Sequence, residues 1–257
     1  MTDGHPSKTN GGSSAQNNAQ PNNIEPSISL EKVSKIYGSG ETQVIALNEV
    51  SLRVMPGEFI VFLGPSGSGK TTLLNLIGGL DSPTSGIIRV NSLNITRLKE
   101  ASLTRFRRTQ VGFIFQFFNL IPTLTARENV DFAADLVKRS MPSQELLREV
   151  GLVERMNHFP SELSGGENQR VAIARALATD PAIILCDEPT GNLDSETGKR
   201  IFKLLRGLNE TRQKTVVVVT HNSVIAEIAH RVVRLRDGKI TEIAANAQPK
   251  DPEELTW

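Results

Sequence analysis

The segment that most constrains this chain is Phe59-Ile60-Val61-Phe62-Leu63, running straight into Gly64-Pro65-Ser66-Gly67-Ser68-Gly69-Lys70-Thr71. Five consecutive apolar residues closed by glycine read as a strand buried on both faces, as in a parallel sheet covered by helices. The loop that follows matches the phosphate-binding pattern. Its glycines let backbone N–H groups converge on phosphate oxygens, Lys70 reaches the β- and γ-phosphates, and the Thr71 hydroxyl suits Mg²⁺. Gly64, Ser66, Gly67, Ser68, Gly69, Lys70, Thr71 and Thr72 are the candidate phosphate-binding residues, and Thr72 to Gly78 reads as the helix behind them.

Two later apolar runs have the same character. Ala182-Ile183-Ile184-Leu185-Cys186 leads into Asp187-Glu188, and Thr215-Val216-Val217-Val218-Val219 leads into Thr220-His221. In open parallel sheets ligands bind at such strand ends. Two adjacent acids there repel each other unless something offsets their charge, and a Mg²⁺ ion carried in on ATP does so. In that pairing Asp187 orients the metal, while Glu188 polarises the water that attacks the γ-phosphate. Alone, the two acids could be a helix cap with a neighbour; downstream of the phosphate-binding loop they predict a nucleoside triphosphatase using ATP and Mg²⁺.

Composition narrows the rest. With 257 residues, 38% of them hydrophobic, the chain can bury a sizeable core as one domain with an insertion. Lys and Arg number 29 against 28 Asp and Glu, so no charge field draws it to nucleic acid, and none is expected as a partner. The single cysteine, Cys186, excludes an intramolecular disulfide and reads as a small core residue of a cytosolic protein. No apolar run approaches the roughly 18 residues of a membrane span, and the N-terminus lacks the apolar stretch of a secretory signal. Any membrane association is expected through a partner or a peripheral surface.

Residues 1–26 are mostly Gly, Ser, Asn, Gln and Pro and read as a disordered polar tail. The folded domain is expected over 27–243. It opens on short antiparallel strands at Ser27 to Leu30, Val44 to Leu47 and Val50 to Val54, separated by polar turns. Helical periodicity without buried strands marks 122–163 as an inserted helical subdomain, with the core formed by 27–121 and 164–243. Its helices are expected over Glu128 to Val137 and Glu145 to Val150. Arg234 to Ile240 reads as a hairpin with an Asp-Gly turn, and 244–257 as a polar C-terminal tail.

Leu163-Ser164-Gly165-Gly166-Glu167-Asn168-Gln169-Arg170 adds a Ser-Gly-Gly turn ahead of a helix read over Val171 to Ala178, a second anion-binding helix N-terminus. One site does not need two cradles. If the second faces another molecule's ATP, two chains pair about a two-fold axis, each nucleotide held by the loop of one and by Ser164, Gly165 and Gly166 of the other. In company with Gly64 to Thr71 and Asp187-Glu188, this resembles the signature motif of ABC-transporter ATPases. The resemblance spans Ser27 to Ile243.

That resemblance implies a P-loop NTPase core of mostly parallel α/β sheet, an antiparallel β subdomain and an inserted α-helical subdomain. It implies that Gln116 reaches the metal and links the core to the helical subdomain. His221, a residue type more often structural when it stands alone, matches the switch histidine that contacts the γ-phosphate. Asp194 matches an aspartate that crosses the dimer interface. Tyr37 lies where the family stacks a ring on adenine, a tyrosine packed in a strand being the alternative. Phe117-Phe118-Asn119-Leu120-Ile121-Pro122 and Gly191-Asn192-Leu193-Asp194 are similar to the ATPases of macrolide exporters, lipoprotein-release complexes and the related cell-division pair. The implied partners are a second ATPase subunit, homodimeric or a sister chain, and a separate four-span permease. The permease would dock in the groove around Phe117, Phe118, Leu120, Ile121 and Leu124, at the cytoplasmic face of the cell membrane, with lipoproteins, peptides, glycolipids or drugs as cargo classes. Asn168 departs from the more usual Gln of the signature helix. A soluble ATPase serving cell division, DNA or the ribosome is the alternative; such proteins usually carry two cassettes or long insertions, which this chain lacks. A binding module that holds ATP without hydrolysing it is opposed by intact Glu188, Gln116 and His221.

Overall fold

The computed structural model describes residues 1, 2, 4, 24–138 and 140–256. The expected tail over 1–26 therefore lies largely outside the described residues. In chain order the elements are β1 (Ile28–Tyr37), β2 (Val44–Val54), β3 (Phe59–Leu63), α1 (Lys70–Ile77), β4 (Ser85–Val90), β5 (Leu93–Asn94), α2 (Glu100–Gln110) and β6 (Val111–Ile114). There follow α3 (Ala126–Ala134), α4 (Ser143–Glu149), α5 (Gly165–Leu177), β7 (Ile183–Asp187), α6 (Ser195–Arg212), β8 (Thr215–Thr220), β9 (Arg231–Arg236) and β10 (Lys239–Ala245).

The three apolar runs form adjacent or near-adjacent parallel strands of one sheet, ordered β10-β9-β3-β8-β7-β6, with β10 the antiparallel edge. Alternate residues of each central strand enter opposite cores, because successive side chains leave a strand on opposite faces. Phe59, Val61, Val216, Val218, Ile184 and Cys186 join the cluster with α3, α4, α5 and α6. Ile60, Phe62, Val217, Val219, Ile183 and Leu185 join the cluster with α1, α2 and the second sheet. That second sheet, β2-β1-β4-β5, is antiparallel throughout. β8 lies between β3 and β7, so the loop after β3 and the acids of β7 open at the same sheet edge, one strand apart.

The structure corrects several boundaries. Val44 to Leu47 and Val50 to Val54 are one strand, β2; the polar pair between them is a bulge, with Glu49 at φ 51°, Asn48 N–H bonded to Gly238 O at 2.8 Å and Glu49 N–H to Ser34 Oγ at 2.9 Å. α5 starts at Gly165, because Ser164 and Glu167 form a capping box that lets the glycines take the first helical turn. α3 starts at a second capping box, Thr125 with Glu128, and stops at Ala134.

The C-terminal segment is not a loose tail. Beyond β10, Asn246 N–H bonds His230 O at 2.8 Å, Lys250 pairs with Glu227 at 2.8 Å, and Leu255 is fully buried in the core beside α6. Two apolar anchors, Pro252 and Leu255, hold a segment whose composition is polar. No helix among the described residues is long and apolar enough to cross a membrane.

Candidate functional site

The loop after β3 is shaped by close backbone approach. A Cβ on Gly64 would lie 2.3 Å from Leu235 O, and one on Gly69, at φ 100°, would lie 2.4 Å from Ala46 O. Only glycine fits at either place. Gly69 hands the chain to α1, whose first residue, Lys70, folds its Nζ back to donate to Gly64 O at 2.8 Å and Pro65 O at 2.9 Å. Two of the three ammonium donors are thus used by the loop itself. Burial pulls the Lys70 pKa below its ordinary value, partly opposed by the negative charges of Glu188 and Asp187.

The acids come from the end of β7. Thr71 Oγ1 donates to Asp187 Oδ1 at 3.2 Å, so the hydroxyl and the carboxylate share one space. Burial lifts the Asp187 pKa, and the charge of Glu188 lifts it further, against the pull of the Thr71 bond and Lys70. Glu188 sits in the left-handed region at φ 45°. Its Oε2 accepts from Thr220 Oγ1 at 2.9 Å; its Oε1 accepts from His221 N–H at 2.9 Å and lies 2.8 Å from His221 Nδ1. The end of β8 thereby fixes the carboxylate of the neighbouring strand.

These groups line one open cleft of about 500 Å³: Ser66, Gly67, Gly69, Lys70, Thr71, Thr72, Gln116, Asp187, Glu188 and His221, with Val44, Ile45 and Ala46 of β2 as an apolar wall. Val44 and Ile45 are more than half exposed there. Gly64 and Ser68 shape the loop from behind. Gln116, just past β6, donates from Nε2 to Asn192 Oδ1 at 3.4 Å, while Asn192 Nδ2 donates to Gln116 O at 3.1 Å.

Other expected site residues stand apart from the cleft. Tyr37 donates its hydroxyl to Asp81 at 2.8 Å, and the Lys35 ammonium lies 4.8 Å from its ring centroid. Its ring is tied up by a charged pair in this structure, and it is not among the cleft's lining. Ser164, Gly165 and Gly166 begin α5 outside the cleft; Ser164 Oγ and its N–H are both within 2.8 Å of Glu167 Oε2, and a Cβ on Gly166 would lie 2.3 Å from Thr197 Cγ2. Asp194 caps α6, accepting from Thr197 N–H at 3.0 Å. Sequence reasoning missed Thr220 and Asn192 as partners of Glu188 and Gln116. Their only signal was position: Thr220 adjoins His221, and Asn192 lies within the Gly191 to Asp194 motif.

The arrangement brings a glycine-rich loop and its lysine together with a hydroxyl, a partly buried carboxylate and a second carboxylate held by hydrogen bonds from Thr220 and His221. The family model for ABC transporters matches residues 47–191. The chain belongs to the ABC transporter family.

Within that family it is an ATP-binding subunit with the ATPase domain. MJ0796, an uncharacterized ABC transporter ATP-binding protein of Methanocaldococcus jannaschii, is 49% identical over 222 residues, 83% of this chain and 94% of the relative. The lipoprotein-releasing system ATP-binding protein LolD of Geobacter metallireducens is 49% identical over 218 residues, 83% of this chain and 97% of LolD. The dimeric post-hydrolysis structure of MJ0796 bound to ADP and Pi covers 85% of this chain and 98% of its own, at 45% identity and a TM-score of 0.78. ABC membership fixes the fold class expected from the motifs, a P-loop ATPase core with helices on a mixed sheet.

Proposed function

We propose that this ABC subunit binds Mg-ATP in the cleft and hydrolyses it with Glu188 as general base, in a dimer that drives a separate membrane permease. The observation that carries the base assignment is the Glu188 carboxylate, aimed by Thr220 and His221 at the mouth of the phosphate-binding loop. Lys70 exchanges its loop carbonyls for β- and γ-phosphate oxygens. Glu188 takes the proton of the water whose oxygen bonds to the γ-phosphorus as the bond to the β–γ bridging oxygen breaks. His221 stays beside Glu188 and within reach of the γ-phosphate.

A Mg²⁺ ion that arrives on phosphates needs only one or two protein oxygens besides its waters. Thr71 and Asp187, which share one hydrogen bond, would supply that set, and Gln116 lines the same cleft. When bound, the ion neutralises charge on the β- and γ-oxygens. The apolar wall of Val44, Ile45 and Ala46, with Tyr37 if it leaves Asp81, would take the adenine.

Ser164 to Gly166 lie outside their own chain's cleft, which supports their facing a partner's nucleotide across a two-fold axis, with Asp194 at that interface. Phe117 is 73% exposed between core and helical subdomain, while Phe118, Leu120, Ile121 and Leu124 are partly buried. We read Phe117 as the permease-docking point at the cytoplasmic face of the membrane. The likeness to LolD supports lipoproteins among the candidate cargoes.

Turnover of Glu188→Gln tests the base assignment. ATP binding should persist while kcat falls by about 100-fold or more, in line with the usual worth of a positioned base. Wild-type turnover in that variant would remove Glu188 from the mechanism.

A further inference from the structure

Gln169, in the second turn of α5, is a polar side chain with no exposed surface. Its Nε2 donates to Pro189 O at 2.7 Å, and its Oε1 has no partner among the described residues. A buried amide satisfied on one side only is less favourable than an apolar side chain of the same shape. What distinguishes the position is the bond it makes.

Pro189 directly follows Glu188, whose φ of 45° is unfavourable for a residue with a Cβ. Such a corner persists only where its surroundings hold it. Glu188 N–H donates to Val219 O at 3.0 Å, and Gly191 N–H donates to Glu188 O at 3.0 Å. Proline has no N–H, so its carbonyl is the only backbone polar group by which a neighbour can grip residue 189. Gln169 is that neighbour. The helix carrying it is capped by Ser164, in the turn proposed to face the partner's nucleotide.

We propose that Gln169 is a positioning residue for hydrolysis: it clamps the Glu188–Pro189 corner from α5, so that the seating of α5 sets the aim of the Glu188 carboxylate. The proposal rests on the reading of Glu188 as the base. It also gives the signature turn a physical line to the catalytic strand of its own chain, through one side chain rather than through the dimer interface.

The test is Gln169→Met in the full chain, which keeps length and burial but removes the donor. The expected result is a kcat lower by about 10- to 100-fold, the scale of small misplacements of a catalytic group. KM for ATP should stay unchanged and Tm equal or higher, since the phosphate loop is untouched and an unpaired amide oxygen is gone. A purely structural role predicts the reverse, altered Tm with wild-type kcat, and that result overturns the proposal, as does a rise in KM that matches the loss of rate. If the methionine variant does not fold, Gln169→Leu also removes the donor from the buried site and must show the same loss of kcat; wild-type kcat there overturns the proposal equally. Glu188→Gln is assayed in parallel. Loss in Glu188→Gln with retention in Gln169→Met sinks the clamp alone, whereas retention in both sinks the base assignment beneath it.

Discussion

Asp187 and Glu188 are neighbours in sequence with opposite surroundings. Glu188 has both oxygens bonded to donors at the end of β8, Thr220 and the His221 that follows it, while Asp187 has a single hydroxyl and a burial that disfavours its charge. A carboxylate whose folded-state pKa is raised destabilises the fold once pH exceeds its ordinary value of about 3.9, and fully so above the folded pKa. Asp187→Asn should therefore raise Tm of the nucleotide-free protein at pH 7. The gain should shrink as pH falls towards the ordinary carboxylate range. A Tm difference independent of pH would contradict that origin. Lys70, Asp187 and Glu188 were legible because their chemistry sits in compact motifs next to apolar runs. Thr220, Asn192 and Gln169 were not: their partners lie 32, 76 and 20 residues away, and side-chain bonds of that kind leave no period in the sequence.

At the scale of elements, the segment between β6 and α3 shows how a non-repetitive stretch is fixed. Phe118 and Asn119 are both left-handed, at φ 61° and 52°, and Arg175 of α5 donates to the carbonyls of both. Asn129 of α3, almost fully buried, accepts from Ile121 N–H and donates to the carbonyls of Ile121, Leu124 and Thr125. The segment is thus tied down at several points, and Phe117 is its one large apolar side chain left well exposed. Phe117→Asp should keep the wild-type Tm, because little packing is lost. If Phe117 docks a permease, the wild-type chain should co-sediment with membranes of its host and the variant should not. Equal recovery of both would contradict the docking assignment. The apolar cluster was visible in the sequence; which of its members face outward depended on Asn129 in the next helix and on Arg175, 56 and 57 residues beyond the carbonyls it holds. The buried strands β3, β7 and β8 were legible from unbroken apolar runs. The anchoring of Leu255 was not, since two apolar residues in a polar stretch carry no pattern.

For the whole molecule, the loop at Gly64 to Thr71 borders the cleft, whereas the Ser164 turn proposed as a second anion cradle is not among the residues that line it. That separation is why the account needs a second copy. ATP binding and dimer closure then stabilise each other by the same factor, and the same reciprocity ties ATP affinity to permease affinity. The near balance of charge leaves closure to the nucleotide phosphates rather than to a global field. The measurement closest to this claim is light scattering of Glu188→Gln with and without Mg-ATP, beside Ser164→Arg made in the same background. The account predicts that Glu188→Gln passes from monomer to dimer on adding Mg-ATP and that the doubly substituted chain stays monomeric. A Glu188→Gln chain that binds Mg-ATP and remains a monomer, or a dimer that forms despite Ser164→Arg, would contradict it.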